Sequence, residues 1–386
     1  MSIGSPIARP LQMLTTAVVV SAASVLPTGC ATSSERSLTQ PATFTPGRDA
    51  AVQSEIDKIV DSGVTGITAT LTADGHTTTL TSGVGNRDTG EPMPENSQVR
   101  IGSITKSFTA SILMQLNSEG RLYLDDPIDR YLPGLISGEG VDGRNITVRH
   151  ILQHRSGLPE FSGDPRTDEL KAAAEHRTMT PSEALAVALE YPAQFPPGAQ
   201  YKYTNTNYLI GGILIETITG NSYADELTTR LLKPLGLNDT YLPAPGELGI
   251  RGPHPHGYEN DNGVVTDASR IEPSIPWAAG AIVSTGADLN TFYLGLANGK
   301  VVESAQLVQM QQFTPNGDRR TGYGIGINVT DLPCGARLIG HTGAIPGYYT
   351  ISAATTEGRA VSITFTQAPE AQPDIVTLLT YALCDH

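Results

Sequence analysis

Apolar positions in this chain recur with two different periods, and the period changes along its length. Over residues 50–61, Val52, Ile56, Ile59 and Val60 fall on one face of a helix. Two Thr- and Val-rich runs follow, 64–72 and 77–84, separated by Ala73-Asp74-Gly75-His76. Asp-Gly supplies the positive backbone angles of a tight turn, so the runs are expected to pair as an antiparallel hairpin. The helical period returns over 104–119, with Phe108, Ile112, Leu113 and Leu116 apolar and Gly120 as its stop.

Between about 122 and 290 the pattern is mostly helical, broken by Pro- and Gly-rich loops. Helices are expected over 147–153, 181–189, 207–219, 223–232 and 286–297. Residues 323–329 then alternate with glycines, and 337–340, 348–354 and 360–367 read as strands before a last helix over 373–384. Strands at both ends with helices inserted between them predict an α/β (α+β) fold: one antiparallel sheet built from both termini and flanked by helices, plus a mostly helical second lobe. The expected division is a sheet lobe of about 49–115 and 285–386 and a helical lobe of about 116–284, with the functional cleft between them. A chain of 386 residues is long for one core, which also favours two lobes.

The N-terminus is of another kind. Arg9 is the sole charge before an apolar stretch over 11–26, short and rich in Ser and Thr. Such a stretch suits the core of a secretory signal better than a membrane span. It ends in Leu26-Pro27-Thr28-Gly29-Cys30, which resembles a bacterial lipoprotein cleavage box in which Cys30 would carry the lipid. Pro27 departs from the usual aliphatic residue, and an ordinary signal with Cys30 discarded is the alternative. The expectation is a signal over 1–30, a flexible tether over 31–48 and an exported domain over 49–386, secreted or lipid-anchored at the outer face of the cell membrane. Once Cys30 is set aside, Cys334 and Cys384 remain. In an oxidising compartment they either pair or sit as two buried thiols.

Net charge is −14 and the acidic residues are scattered, so a nucleic-acid partner, which demands a basic face, is excluded. His150 and His154 stand four apart without an evident third ligand, and the chain has no His-Glu-x-x-His; no metal or other cofactor is expected. There is also no Gly-x-Ser-x-Gly elbow. A monomer is expected.

Three short motifs carry chemistry. Ser103-Ile104-Thr105-Lys106 puts a hydroxyl and an amine three apart on one helical face, where a neutral amine can take the hydroxyl proton. Tyr203-Thr204-Asn205 follows Phe195-Pro196-Pro197-Gly198 on a loop, offering a phenol for proton transfer and an amide for a substrate. His341-Thr342-Gly343 lies between two predicted strands; His341 can hold charge or donate, Thr342 can bind a carboxylate, and Gly343 admits a substrate backbone. Each alone is as well read as a helix cap with a solvated lysine, as turn packing, or as a strand-end turn.

Together, and in this order, the three motifs resemble those of the penicillin-recognising serine hydrolases, which include D-alanyl-D-alanine carboxypeptidases, class C β-lactamases and related esterases. Residues 101–108, 146–150, 154–158, 203–207, 305–307 and 340–343 look most like the secreted streptomycete D-alanyl-D-alanine carboxypeptidases, over about 56–384. The resemblance implies that Ser103 is acylated, by peptidoglycan-type peptides or by β-lactams. Lys106 would accept its proton and Tyr203 would relay it to the leaving group. Asn205 would hold the substrate amide, and His341 with Thr342 would face its carboxylate. The N–H groups of Ser103 and Ala344 would bind the oxyanion, and Trp277 would line the cleft, although its spacing to Ala279-Gly280-Ala281 is short. It also implies a Cys334–Cys384 bridge. Two departures stand out: Ala344 replaces a threonine and Asn328 replaces an arginine that grips the substrate carboxylate. These leave an esterase or a β-lactamase open on the same scaffold, and also a tethered penicillin sensor that acylates without turnover.

Overall fold

The computed structural model describes residues 46–313, 321–369 and 373–384. The signal segment, Cys30 and nearly all of the tether lie outside them.

Helix α1 spans Pro46–Asp61, starting four residues before the expected position. The hairpin β1 (Gly66–Ala73) and β2 (His76–Gly83) forms on Asp74 and Gly75, which have φ of 52° and 77° as the tight turn requires. Helix α2 spans Thr105–Ser118, and α3, deep in the helical lobe, spans Thr206–Thr219. Helix α4, Gly286–Ala297, leads back to the sheet. There β3 (Thr321–Tyr323), β4 (Asn328–Asp331), β5 (Arg337–Ile345), β6 (Tyr348–Thr355) and β7 (Ala360–Phe365) are followed by α5 (Ile375–Leu383).

The seven strands form one antiparallel sheet in the order β2-β1-β7-β6-β5-β4-β3. Strands from the two ends of the chain meet at the β1–β7 seam, where Ile67 faces Phe365. Side chains alternate across the pleat. Ile67, Ala69, Leu71, Ile351, Ala353, Val361, Ile363 and Phe365 face outward and pack under α1 and α5 with Val52, Ile56, Leu378 and Leu379. The inner face bears buried hydroxyls instead, from Thr70, Thr350, Ser352, Ser362 and Thr364, and α4 covers it. Asn290 of α4 bonds into this face, donating to the Thr70 main-chain carbonyl at 2.9 Å and to Thr72 Oγ1 at 3.0 Å and accepting from Ser362 Oγ at 2.7 Å. Gly286 is needed in the same layer, because a Cβ there would stand 2.3 Å from Thr70 Oγ1.

Cys334 and Cys384 form a disulfide that ties the end of α5 to the β4–β5 turn. Arg48, buried in the first turn of α1, donates to Cys384 O at 3.2 Å.

The second lobe is helical, and its core is continuous with the inner side of the sheet lobe. Two expectations differ in detail. The predicted helix 223–232 is α-helical only over Tyr223–Leu227 and widens to a π-turn over Thr228–Leu232. The hairpin Tyr258–Asp261 and Val264–Asp267, built on Asn262-Gly263, was not anticipated.

Candidate active site

Ser103 lies where the sheet lobe hands over to the helical lobe. The chain turns at Gly102, with φ of 50°, makes one 3-10 turn over Gly102–Ile104 and becomes α2. A Cβ on Gly102 would stand 2.9 Å from Ala344 N, and one on Gly343 would stand 1.9 Å from Ile101 O. The turn and β5 therefore pack main chain against main chain. Strand β5 runs unbroken through 341–343, where the sequence pattern left a strand-end turn open, because each residue pairs with β6: His341 with Ser352, Thr342 with Ile351, Gly343 with Thr350.

One turn beyond Ser103, at the start of α2, Lys106 is wholly buried while Ser103 is partly exposed. The Lys106 ammonium donates to Ser103 Oγ at 2.8 Å, Asn205 Oδ1 at 2.8 Å and Ala279 O at 2.7 Å. Burial lowers its pKa to about 7, against an opposing pull from the Glu160 charge. At neutral pH the amine therefore exists in both forms, and in its neutral form the Ser103 hydroxyl can donate to it.

The loop before α3 contributes two more groups. The Tyr203 ring lies 4.9 Å from Lys106 Nζ. Burial raises its phenol well above the usual range, so it stays protonated; its hydroxyl lies beside Ser103, which partly offsets the rise, yet it has no partner of good hydrogen-bond geometry among the described residues. Asn205 accepts from Lys106 with Oδ1 and donates with Nδ2 to Glu160 Oε2 at 3.3 Å and Ser162 Oγ at 3.1 Å. Its backbone N–H donates to the same Glu160 oxygen at 2.7 Å.

His341 behaves otherwise than expected. Its Nδ1 lies 2.5 Å from Thr342 O, a pure acceptor, so Nδ1 carries the proton and Nε2 accepts from Tyr323 OH at 3.1 Å. Burial, aided by the Lys106 charge, lowers its pKa to about 3. The imidazole is neutral, and both nitrogens are engaged inside the protein. Thr342 and Ala344 alternate to the other side of β5 and are partly exposed and exposed. Trp277 packs its ring against Gly212 and the Tyr223 ring, 5.3 Å away, and among the described residues it shares no hydrogen bond or ring contact with Ser103, Lys106, Tyr203 or Asn205. Of the two histidines four apart, His150 closes a capping box with Thr147 on the short helix Val148–Leu152.

Ser103, Lys106, Tyr203 and Asn205 thus converge from two distant segments, with the Gly343–Ala344 backbone alongside. Glu160, Ser162, Tyr323 and the Ala279 carbonyl belong to the same cluster and have no motif of their own. The nearest signal is positional, since Glu160 follows the 154–158 segment by two residues.

A two-lobed fold with a buried lysine on a partly exposed serine at a helix entrance defines a class: serine hydrolases that activate the nucleophile with an amine. The chain belongs to the beta-lactamase family, which it matches over residues 50–383. It is 28% identical to Penicillin-binding protein 4 of Amycolatopsis lactamdurans, over 78% of this chain and 83% of that protein. It is also 28% identical to Penicillin-binding protein 4* of Bacillus subtilis, over 67% of this chain but only 58% of the Bacillus protein. Among solved structures it is similar to a D-stereospecific amidohydrolase from Streptomyces sp., with a TM-score of 0.80 and 33% identity over 87% of this chain and 98% of that one. It is likewise similar to the D-amino acid amidase of Ochrobactrum anthropi, with a TM-score of 0.73 and 28% identity over 87% and 98%.

Proposed function

We propose that this protein is an exported amidase of D-aminoacyl substrates, forming an acyl-enzyme on Ser103 and favouring an acyl residue with a free, cationic amine. The observation that carries this reading is the charge around the nucleophile. Glu160 places a carboxylate two bonds from Lys106 through Asn205. The positions that grip a substrate carboxylate in the carboxypeptidases hold Ala344 and Asn328, and His341 is neutral. The likeness to a D-stereospecific amidohydrolase and a D-amino acid amidase supports the same choice.

In this reading the neutral Lys106 amine accepts the Ser103 proton as Oγ bonds to the substrate carbonyl carbon. The N–H groups of Ser103 and Ala344 hold the oxyanion, fixed donors aimed at charge that appears only in the transition state. The proton passes through Tyr203 to the leaving nitrogen, the C–N bond breaks, and the amine departs. Water then attacks the ester carbon, its proton passing through Tyr203 to Lys106, and Lys106 returns a proton to Ser103 Oγ as the C–Oγ bond breaks.

A second reading, D-alanyl-D-alanine carboxypeptidase, is favoured by the order of the three motifs and by the penicillin-binding relatives. The two separate on a substrate panel. The amidase reading expects D-aminoacyl amides with a free amine to be turned over faster than their N-acetylated forms and faster than diacyl D-alanyl-D-alanine peptides. Glu160→Gln should raise KM for the free amine by about 10- to 100-fold, the worth of one charge-assisted hydrogen bond. Release of D-alanine from the diacyl peptide as the fastest reaction would decide for the carboxypeptidase. Under either reading Ser103→Ala loses labelling by a fluorescent penicillin. The lipid anchor at Cys30 is part of the proposal, and retention of a palmitate label by Cys30→Ser would remove it.

A further inference from the structure

The chemistry just described gives His154 no role. His154 is fully buried, in the left-handed region at φ 54°. Its Nδ1 faces two donors, the Thr204 N–H at 3.3 Å and the Asn207 side-chain amide at 3.1 Å, whose own oxygen is taken by Ser156 Oγ at 2.6 Å. Nδ1 is therefore an acceptor and the proton sits on Nε2, which is buried without a hydrogen-bond partner among the described residues. The His154 carbonyl accepts from the Lys202 N–H at 2.9 Å. His154 thus binds the residue before Tyr203 with its main chain and the residue after it with its side chain. Its ring stacks on Tyr203 itself, with centroids 4.0 Å apart and planes 32° apart. Tyr323, at 4.7 Å, and Tyr208, at 5.3 Å, enclose the same ring.

A left-handed backbone and an unpartnered buried N–H are both costly, and they persist where surrounding structure demands them. We infer that His154 is a positioning residue for Tyr203, clamping both neighbours of the phenol and seating its ring beside Ser103. The inference rests on the reading of Tyr203 as the proton relay. Burial, with the Lys106 charge, holds the His154 pKa well below the ordinary value, so the clamp keeps both acceptors at every pH at which the enzyme works.

Two variants divide the clamp. His154→Asn tolerates the left-handed backbone and keeps an acceptor near the Nδ1 position but removes the ring. His154→Phe keeps a ring but leaves the Thr204 N–H and the Asn207 amide without an acceptor. The readout is kcat/KM for an amide and for a p-nitrophenyl ester of the same acyl group, because the ester leaving group needs no proton. We expect both variants to lower kcat/KM for the amide by about 10- to 100-fold and for the ester by less than about threefold, the pattern of a weakened general acid. Added to Tyr203→Phe, His154→Asn should cost nothing more, as for residues that act as a unit. Equal losses on amide and ester, or a further loss in the Tyr203→Phe background, would make His154 a purely structural residue. If Tyr203→Phe itself treats amide and ester alike, the relay reading fails and the inference goes with it. Melting temperatures of both variants separate loss of fold from loss of placement.

Discussion

Glu160 reaches Lys106 through Asn205: one amide accepts from the ammonium with its oxygen and donates to the carboxylate with its nitrogen. Two opposite charges are thereby held near each other without direct contact. The lysine pKa reflects the balance, lowered to about 7 by burial and raised by the carboxylate.

That balance sets a pH profile. The base must be neutral, so kcat/KM is expected to rise about tenfold per pH unit up to about 7 and level off above it. Glu160→Gln removes a charge that favours the ammonium, so the acid limb should move to lower pH. Lys106→Arg, cationic throughout, should lose at least about a hundredfold. A profile flat from pH 5 to 8 on a substrate that does not itself titrate would rule out Lys106 as the base.

Close packing of the Ser103 turn on β5 depends on Gly343. The Cβ of Gly343→Ala would stand 1.9 Å from Ile101 O and 3.2 Å from Ser103 N. We expect a loss of about 2–4 kcal/mol in stability and of about a hundredfold in turnover, since both partners are main chain and cannot swing aside. Gly163→Ala, with nothing within 4 Å of its Cβ, serves as the control for urea unfolding and assay. Equal behaviour of the two variants would contradict the packing described.

The Cys334–Cys384 bridge joins residues 50 apart in sequence. The chain-entropy rule for a loop of that size corresponds to about 4 kcal/mol. Cys334→Ser should lower the melting temperature by several degrees while the folded enzyme keeps its kcat, because the bridge anchors α5 on the outer face of the sheet, across from the face on which α4 lies. A changed kcat at an unchanged melting temperature would show coupling that the structure gives no reason to expect.

Much of the fold was legible because local chemistry and tertiary pairing agree. Asp74-Gly75 predicts a turn of the hand a hairpin needs, and the hairpin is there. The same signal at Asn262-Gly263 was as strong, but its flanking strands span only four residues each and lack apolar alternation. Local pattern left His341-Thr342-Gly343 between two expected strands, open to a strand-end turn. The strand continues because β6 pairs with it and Gly343 is needed for contact with Ile101. Glu160 was not legible, since a lone acidic residue on a loop has no period and no partner within its own segment.

By itself the sequence placed Ser103 and Lys106 within reach of each other, because residues three apart on a helix share a face. It also determined the alternation that makes both ends of the chain into one sheet. Only the tertiary structure decided the state of the groups: a lysine whose pKa burial lowers to about 7, a neutral His341 and a protonated Tyr203. Those states come from burial and from charges brought close by distant segments, and desolvation is a property of a surround that no linear pattern contains.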